Sequence, residues 1–109
     1  MPSINTEQRV LSIVIKKEWF DQIADGTKNE EYRDFTPHWQ SRLLNSDDEY
    51  REFDVVEFIN GYNKNAPRLV VEWKGTEVVM FDDATDNSDN PDDYQFVISL
   101  GKVLKRTNC

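Results

Sequence analysis

Apolar side chains recur along this chain in two rhythms, alternation and helical spacing, and each predicts an element. Leu11 to Ile15 is a short, largely β-branched apolar run, the pattern of a strand. Trp19, Phe20, Ile23 and Ala24 then follow at helical spacing ahead of Gly26, which predicts a helix from about Lys17 to Asp25 with a glycine stop. Asn29 to Asp34 predicts a second strand, with Glu31 and Arg33 on one face and Glu30 and Tyr32 on the other. Thr36-Pro37 has the form of a helix start, threonine as cap and proline at the first helical position. Trp39 and Leu43 lie one turn apart behind it, and the helix runs out near Asn45.

The second half of the chain reads as strands. Phe53 to Asn60 is strongly apolar, Gly61 to Pro67 carries the punctuation of a loop, and Arg68 to Lys74 alternates Leu69, Val71 and Trp73 with polar neighbours. An antiparallel hairpin is expected there, with Gly75 turning the chain into a further strand, Thr76 to Phe81. The segment from Asp82 to Asp93 is almost devoid of apolar residues and is expected to be an exposed, mobile loop. Tyr94, Phe96, Ile98 and Leu100 alternate again, and Lys102 to Arg106 extends that strand past Gly101. Trp19, Phe20, Trp39 and Trp73 are assigned to the core. The expected architecture is α+β: one domain over 1–109, with its core over about 11–106. It is a small β-barrel of five to six mainly antiparallel strands with two short helices at its side.

Composition agrees with one small domain. The 109 residues include 3 Trp, 4 Tyr and 6 Phe, enough aromatic surface for a compact core. The longest apolar run is about five residues, against the roughly 20 of a membrane-spanning helix, and the N-terminus lacks a basic-then-apolar signal pattern. A soluble, cytoplasmic protein without a membrane partner is expected. The single cysteine, Cys109, excludes an internal disulfide and a cysteine-based zinc site within one chain. No metal and no cofactor is assigned.

The net charge of −8 is unevenly placed. Asp47, Asp48, Glu49, Glu52, Asp54 and Glu57 form one acidic cluster, and Asp82, Asp83, Asp86, Asp89, Asp92 and Asp93 form another. Together they hold 12 of the 21 acidic residues and only Arg51 among the 13 bases, so the remaining frame carries a small basic surplus. A basic cleft is compatible with that distribution, because binding responds to local potential as well as to total charge. The acidic segments read either as solvated loops or as a surface for a basic protein partner.

Charge of both signs concentrates between Gly26 and Arg33. Glu31 and Arg33, two residues apart on one strand face, can hold each other in place, and Lys28 at the strand entrance can reach an anionic or carbonyl group. Tyr62, in a Gly-Asn-rich loop, is the aromatic best placed to stack a base, and Lys64 and Arg68 follow it as phosphate-binding candidates. Other chemistries are poorly served. Four scattered glycines make no phosphate loop, one histidine makes no Ser-His-Asp set, and the aspartates after Asp82 lack the glycine and terminal glutamate of a calcium loop.

The order of an apolar strand at Leu11 to Ile15, a helix beginning Lys16-Lys17-Glu18-Trp19-Phe20, then Gly26-Thr27-Lys28 and Glu31-Tyr32-Arg33 resembles the ASCH domain family, a branch of the PUA-like β-barrels. The family's G-x-K-x-x-E-x-R segment is filled here by Gly26, Lys28, Glu31 and Arg33. Phe58-Ile59-Asn60-Gly61-Tyr62 and Val97 to Lys102 are similar to its closing strands, and the likeness spans roughly Leu11 to Arg106. The resemblance implies a cleft near Lys28 to Arg33 that receives RNA, a nucleotide or a modified nucleoside. Some relatives are small amidohydrolases that deacetylate acetylated cytidine with a lysine, a threonine and a glutamate. Lys28 matches that lysine, but Glu31 stands where they carry threonine and has no hydroxyl nucleophile. Other relatives are linked with RNA cleavage, for which a lysine and a carboxylate could supply acid and base.

Three readings follow. The first is an RNA- or nucleotide-binding module with ligand contacts from Lys28, Glu31, Arg33, Tyr62, Lys64 and Arg68. The second is a hydrolase of a modified nucleoside or RNA, with Lys28 and Glu31 as catalytic proton-transfer groups. The third is an acidic protein-interaction module. The sequence leaves the ligand and the oligomeric state open.

Overall fold

The computed structural model describes residues 8–81 and 90–109. Eight elements follow the chain: β1 (Val10–Ile15), α1 (Lys17–Ala24), β2 (Glu30–Asp34), α2 (Pro37–Leu43), β3 (Val55–Asn60), β4 (Arg68–Met80), a single 3-10 turn (Pro91–Asp93) and β5 (Tyr94–Thr107). The five strands form one mixed sheet in the order β1-β3-β4-β5-β2, curled into a half-barrel with two short helices, an α+β fold as expected. Among the described residues, β1 and β3 alone run parallel, and the other three strand pairings are antiparallel. The barrel is open among the described residues, since β1 and β2 each have one neighbour and form the two free edges.

Alternation builds the core. Leu11 and Ile13 from β1, Val56 and Phe58 from β3, Leu69 and Val71 from β4, and Phe96 and Ile98 from β5 all face the concave side and are fully buried. Ile15 and Leu100 of the sheet, Phe20 and Ile23 of α1 and Leu43 of α2 join it, with Trp39, Phe53 and Trp73 packed at its margin. The helix starts and stops follow local chemistry. Thr36 accepts from the Trp39 amide with Pro37 at the first helical position, and α1 ends at Gly26, whose φ of 84° is the left-handed conformation that a side chain disfavours.

Two expectations require correction. Gly75 does not turn the chain: β4 continues through it to Met80, paired with β5 throughout. Register shifts between Val70 and Gly75 absorb the irregularity, so the glycine marks a bulged bend in one long strand. Trp19 is not in the core. Phe20 and Ile23 occupy the buried face of α1, and Trp19 lies about 100° around the helix from Phe20, leaving it 42% exposed.

The first acidic cluster is partly structural. Asp54 accepts from the Arg9 amide and guanidinium, and Glu57 is paired with Arg68 at 3.4 Å and accepts from Ser12. Of the second segment, 82–89 lies outside the described residues, while Asn90 caps the 3-10 turn through the Asp92 amide. The Phe81 amide donates to the Asp93 carbonyl and joins the ends of β4 and β5. No helix among the described residues is long and apolar enough to cross a membrane.

Candidate functional site

A cavity of about 740 Å³ is lined by residues of the two free sheet edges, the start of α1 and the end of β3. Val14, Ile15 and Lys16 form one wall, Lys28 and Glu31 to Arg33 the opposite one, and Trp19 and Asn60 to Tyr62 the rim. Its volume is within the range of small-molecule sites.

Glu31 is at the bottom. Its neighbours Glu30 and Tyr32 face outward, so strand alternation turns the Glu31 side chain into the barrel, where only 5% of the residue remains exposed. A carboxylate so placed requires partners. One oxygen accepts from Arg33 Nη2, and the other lies 3.5 Å from Lys28 Nζ. Both cations are themselves largely withdrawn from solvent, with side-chain exposures of 13% for Lys28 and 24% for Arg33.

Local structure sets each position. The Lys28 amide donates to the Gln22 carbonyl, tying the link after α1 back onto the helix and delivering the ammonium to the cavity. The ammonium lies 4.8 Å from the Tyr32 ring centre and 5.6 Å from that of Trp19, a cation between two aromatic faces. The Arg33 guanidinium lies 5.0 Å from the Trp39 ring centre, and Arg42 holds the same ring at 5.2 Å. Arg33 Nε is buried without a hydrogen-bond partner. The Tyr32 hydroxyl donates to Glu30 at 2.6 Å, which holds its pKa above the ordinary tyrosine value by favouring the protonated form.

The structure thus brings Lys28, Glu31, Arg33 and Tyr62 to one cavity, with Tyr62 at its rim and 91% exposed. It does not bring Lys64 or Arg68 there. Lys64 is exposed in the β3–β4 loop, and Arg68 is held by Glu57 beside the β3 ladder. Sequence reasoning missed Trp19 and Lys16 as lining residues. Their signal was position: both flank the start of α1, the helix that leads into the Gly26 to Arg33 segment.

The electrostatics favour an anion. Lys16, Lys28 and Arg33 line the cavity against one carboxylate, Glu31, so two positive charges remain uncompensated in the lining. Among the described residues no group of three or more His, Cys, Asp or Glu could hold a metal ion. Comparison of the chain with protein-family models, curated proteins and solved structures returned no match.

Proposed function

We propose that the cavity binds a nucleotide, free or as part of a short single-stranded RNA, and that the chain is an ASCH-type module of the PUA-like class. The observation that carries this reading is the part-buried Lys28–Glu31–Arg33 cluster in a cavity that three aromatic side chains, Trp19, Tyr32 and Tyr62, also line. The cations suit a phosphate or a carbonyl edge, the carboxylate suits an exocyclic amine, and the ring faces suit any base. The overall charge of −8 favours a compact ligand over long duplexes, since extended phosphate backbones require many cations. The test is a chemical-shift titration of the isotope-labelled protein with nucleoside monophosphates, short RNAs and acetylcytidine. Shifts centred on Lys28 to Arg33 and Tyr62 are expected; a full panel that leaves those signals unmoved rejects the reading.

A second reading, hydrolysis of a modified nucleoside, is favoured by one distance, the 3.5 Å between Lys28 Nζ and Glu31 Oε1 in a largely buried setting. Such a pair can pass a proton to or from a bound ligand. Following acetylcytidine over hours in the same samples tests it. Conversion that disappears in Lys28→Ala is required, and an unchanged ligand dismisses it.

A further inference from the structure

The cavity coincides with the unclosed seam of the barrel. Successive residues of a strand point to opposite faces, so a cavity lying on one face of a strand touches alternate residues. This one touches consecutive residues of both edges, Val14-Ile15-Lys16 and Glu31-Tyr32-Arg33, and therefore abuts the strand edges and their peptide groups.

Hydrogen bonds elsewhere on the two strands fix which peptide groups turn into the seam, because main-chain direction alternates residue by residue. The Arg9 carbonyl accepts from the Val55 amide of β3, whereas the Ser12 carbonyl accepts from Arg42 Nη2 on the open side. Val14, two residues on, has the same direction as Ser12. On the other edge, the Asn29 carbonyl accepts from the Leu100 amide of β5, so Glu31 and Arg33 turn to β5 and Tyr32 turns away. Among the described residues, no hydrogen bond reaches the N–H or C=O of Val14 or Tyr32.

We infer that the main-chain N–H and C=O groups of Val14 and Tyr32 read the hydrogen-bonding edge of a nucleobase held in the seam. The N–H and C=O of one extended residue lie side by side and match a cyclic amide or amidine edge, an acceptor beside a donor. The inference rests on the nucleotide reading and deepens it: the phosphate goes to the cationic surplus, the base face to the aromatic rim, and the base edge to the backbone. A peptide strand is the poorer occupant. Arg42 already takes the Ser12 carbonyl, which leaves β1 too short an open edge for strand addition.

The test is amide hydrogen exchange of the full chain, read by NMR, with and without saturating uridine, cytidine, adenosine or guanosine 5′-monophosphate. With at least one of them, exchange at Val14 or Tyr32 should slow by about tenfold or more. Val14→Pro provides a second arm. It removes an N–H that serves no ladder bond, and it should bind that nucleotide about tenfold more weakly than Val14→Ala, which keeps the amide. If Val14→Pro does not fold, the exchange measurement on the natural chain decides alone. Cavity shifts on titration with unchanged exchange at both amides would overturn the edge-reading inference and leave the nucleotide reading standing. Absence of binding by the whole panel would remove both. Protection that rises with protein concentration in the absence of nucleotide would overturn the inference in favour of pairing between copies of the chain.

Discussion

Glu31 and Arg33 stand two residues apart on the concave face of β2, and the arginine donates to the carboxylate while its guanidinium lies 5.0 Å from the Trp39 ring centre. One carboxylate thereby serves as the shared counter-charge of two part-buried cations, Arg33 and Lys28, and balances one of their two charges. Removing it leaves both without a counter-charge, the costly half of a buried ion pair. Glu31→Gln, nearly isosteric, should destabilise the fold by about 2 kcal/mol, less than a fully buried pair because both cations retain some solvent contact. Urea unfolding beside Glu30→Gln, whose carboxylate is on the outer face of the same strand, checks this. Equal losses in the two variants would mean that Glu31 does not organise the site.

Tyr62 separates binding from stability. At 91% exposure its ring supports no packing, so Tyr62→Ala should leave the unfolding free energy within about 0.5 kcal/mol of the parent. If the ring stacks a base, the same substitution should weaken nucleotide binding by about 1–3 kcal/mol, the range for base–aromatic contacts. Calorimetric titration of both proteins with the best ligand of the panel measures it. An unchanged Kd would place the base elsewhere in the cavity, against Trp19 or Tyr32.

What could be read in the sequence was what local patterning dictates. Short apolar runs located β1 and β3, alternation located the first half of β4 and β5, Thr36-Pro37 located α2, and the Gly26 to Arg33 segment located β2 and the charged wall of the cavity. The misreadings share a cause. Gly75 is bridged by a long β4–β5 ladder, and Trp19 is turned outward by a helix whose buried face is narrower than its apolar spacing implied. Both depend on partners distant in sequence. So does the parallel β1–β3 pairing that leaves β1 as a free edge, and with it the cavity's second wall at Val14 to Lys16.

The Arg9–Asp54 clasp ties the start of β1 to the start of β3. Asp54 accepts from both the Arg9 guanidinium, at 3.1 Å, and the Arg9 amide, at 2.8 Å, and these bonds hold its pKa below the ordinary aspartate value. A carboxyl depressed in the folded state contributes stability that is present above its unfolded pKa and is lost as pH falls through the folded one. The melting-temperature gap between the parent and Asp54→Asn should therefore be constant from about pH 7 to pH 5 and shrink below about pH 4. A gap that does not change through the acid range would show that the charge on Asp54 contributes nothing to the clasp.

Gly101 accommodates a side chain from the neighbouring strand. The Glu72 carboxylate crosses from β4 over this glycine and accepts from the Lys102 amide at 2.9 Å, which satisfies a peptide group near the β4–β5 register shifts and lowers the Glu72 pKa. A Cβ added at Gly101 would come within 2.5 Å of Glu72 Oε1 and 2.9 Å of Glu72 Cβ, closer than atoms tolerate. The carboxylate end can swing away, but its Cβ is fixed by the strand, so Gly101→Ala must displace the backbone or break the bond to Lys102. A fall in melting temperature of about 5 °C is expected. Glu72→Ala should cost less, and in that background Gly101→Ala should lose part of its effect, since the obstructing carboxylate is gone. Thermal unfolding of the two single variants and the double variant measures the coupling. Strict additivity would show that the obstruction comes from the Glu72 Cβ, which alanine retains, or from Lys74 Cε, 2.7 Å from the added Cβ, and not from the carboxylate that crosses the glycine.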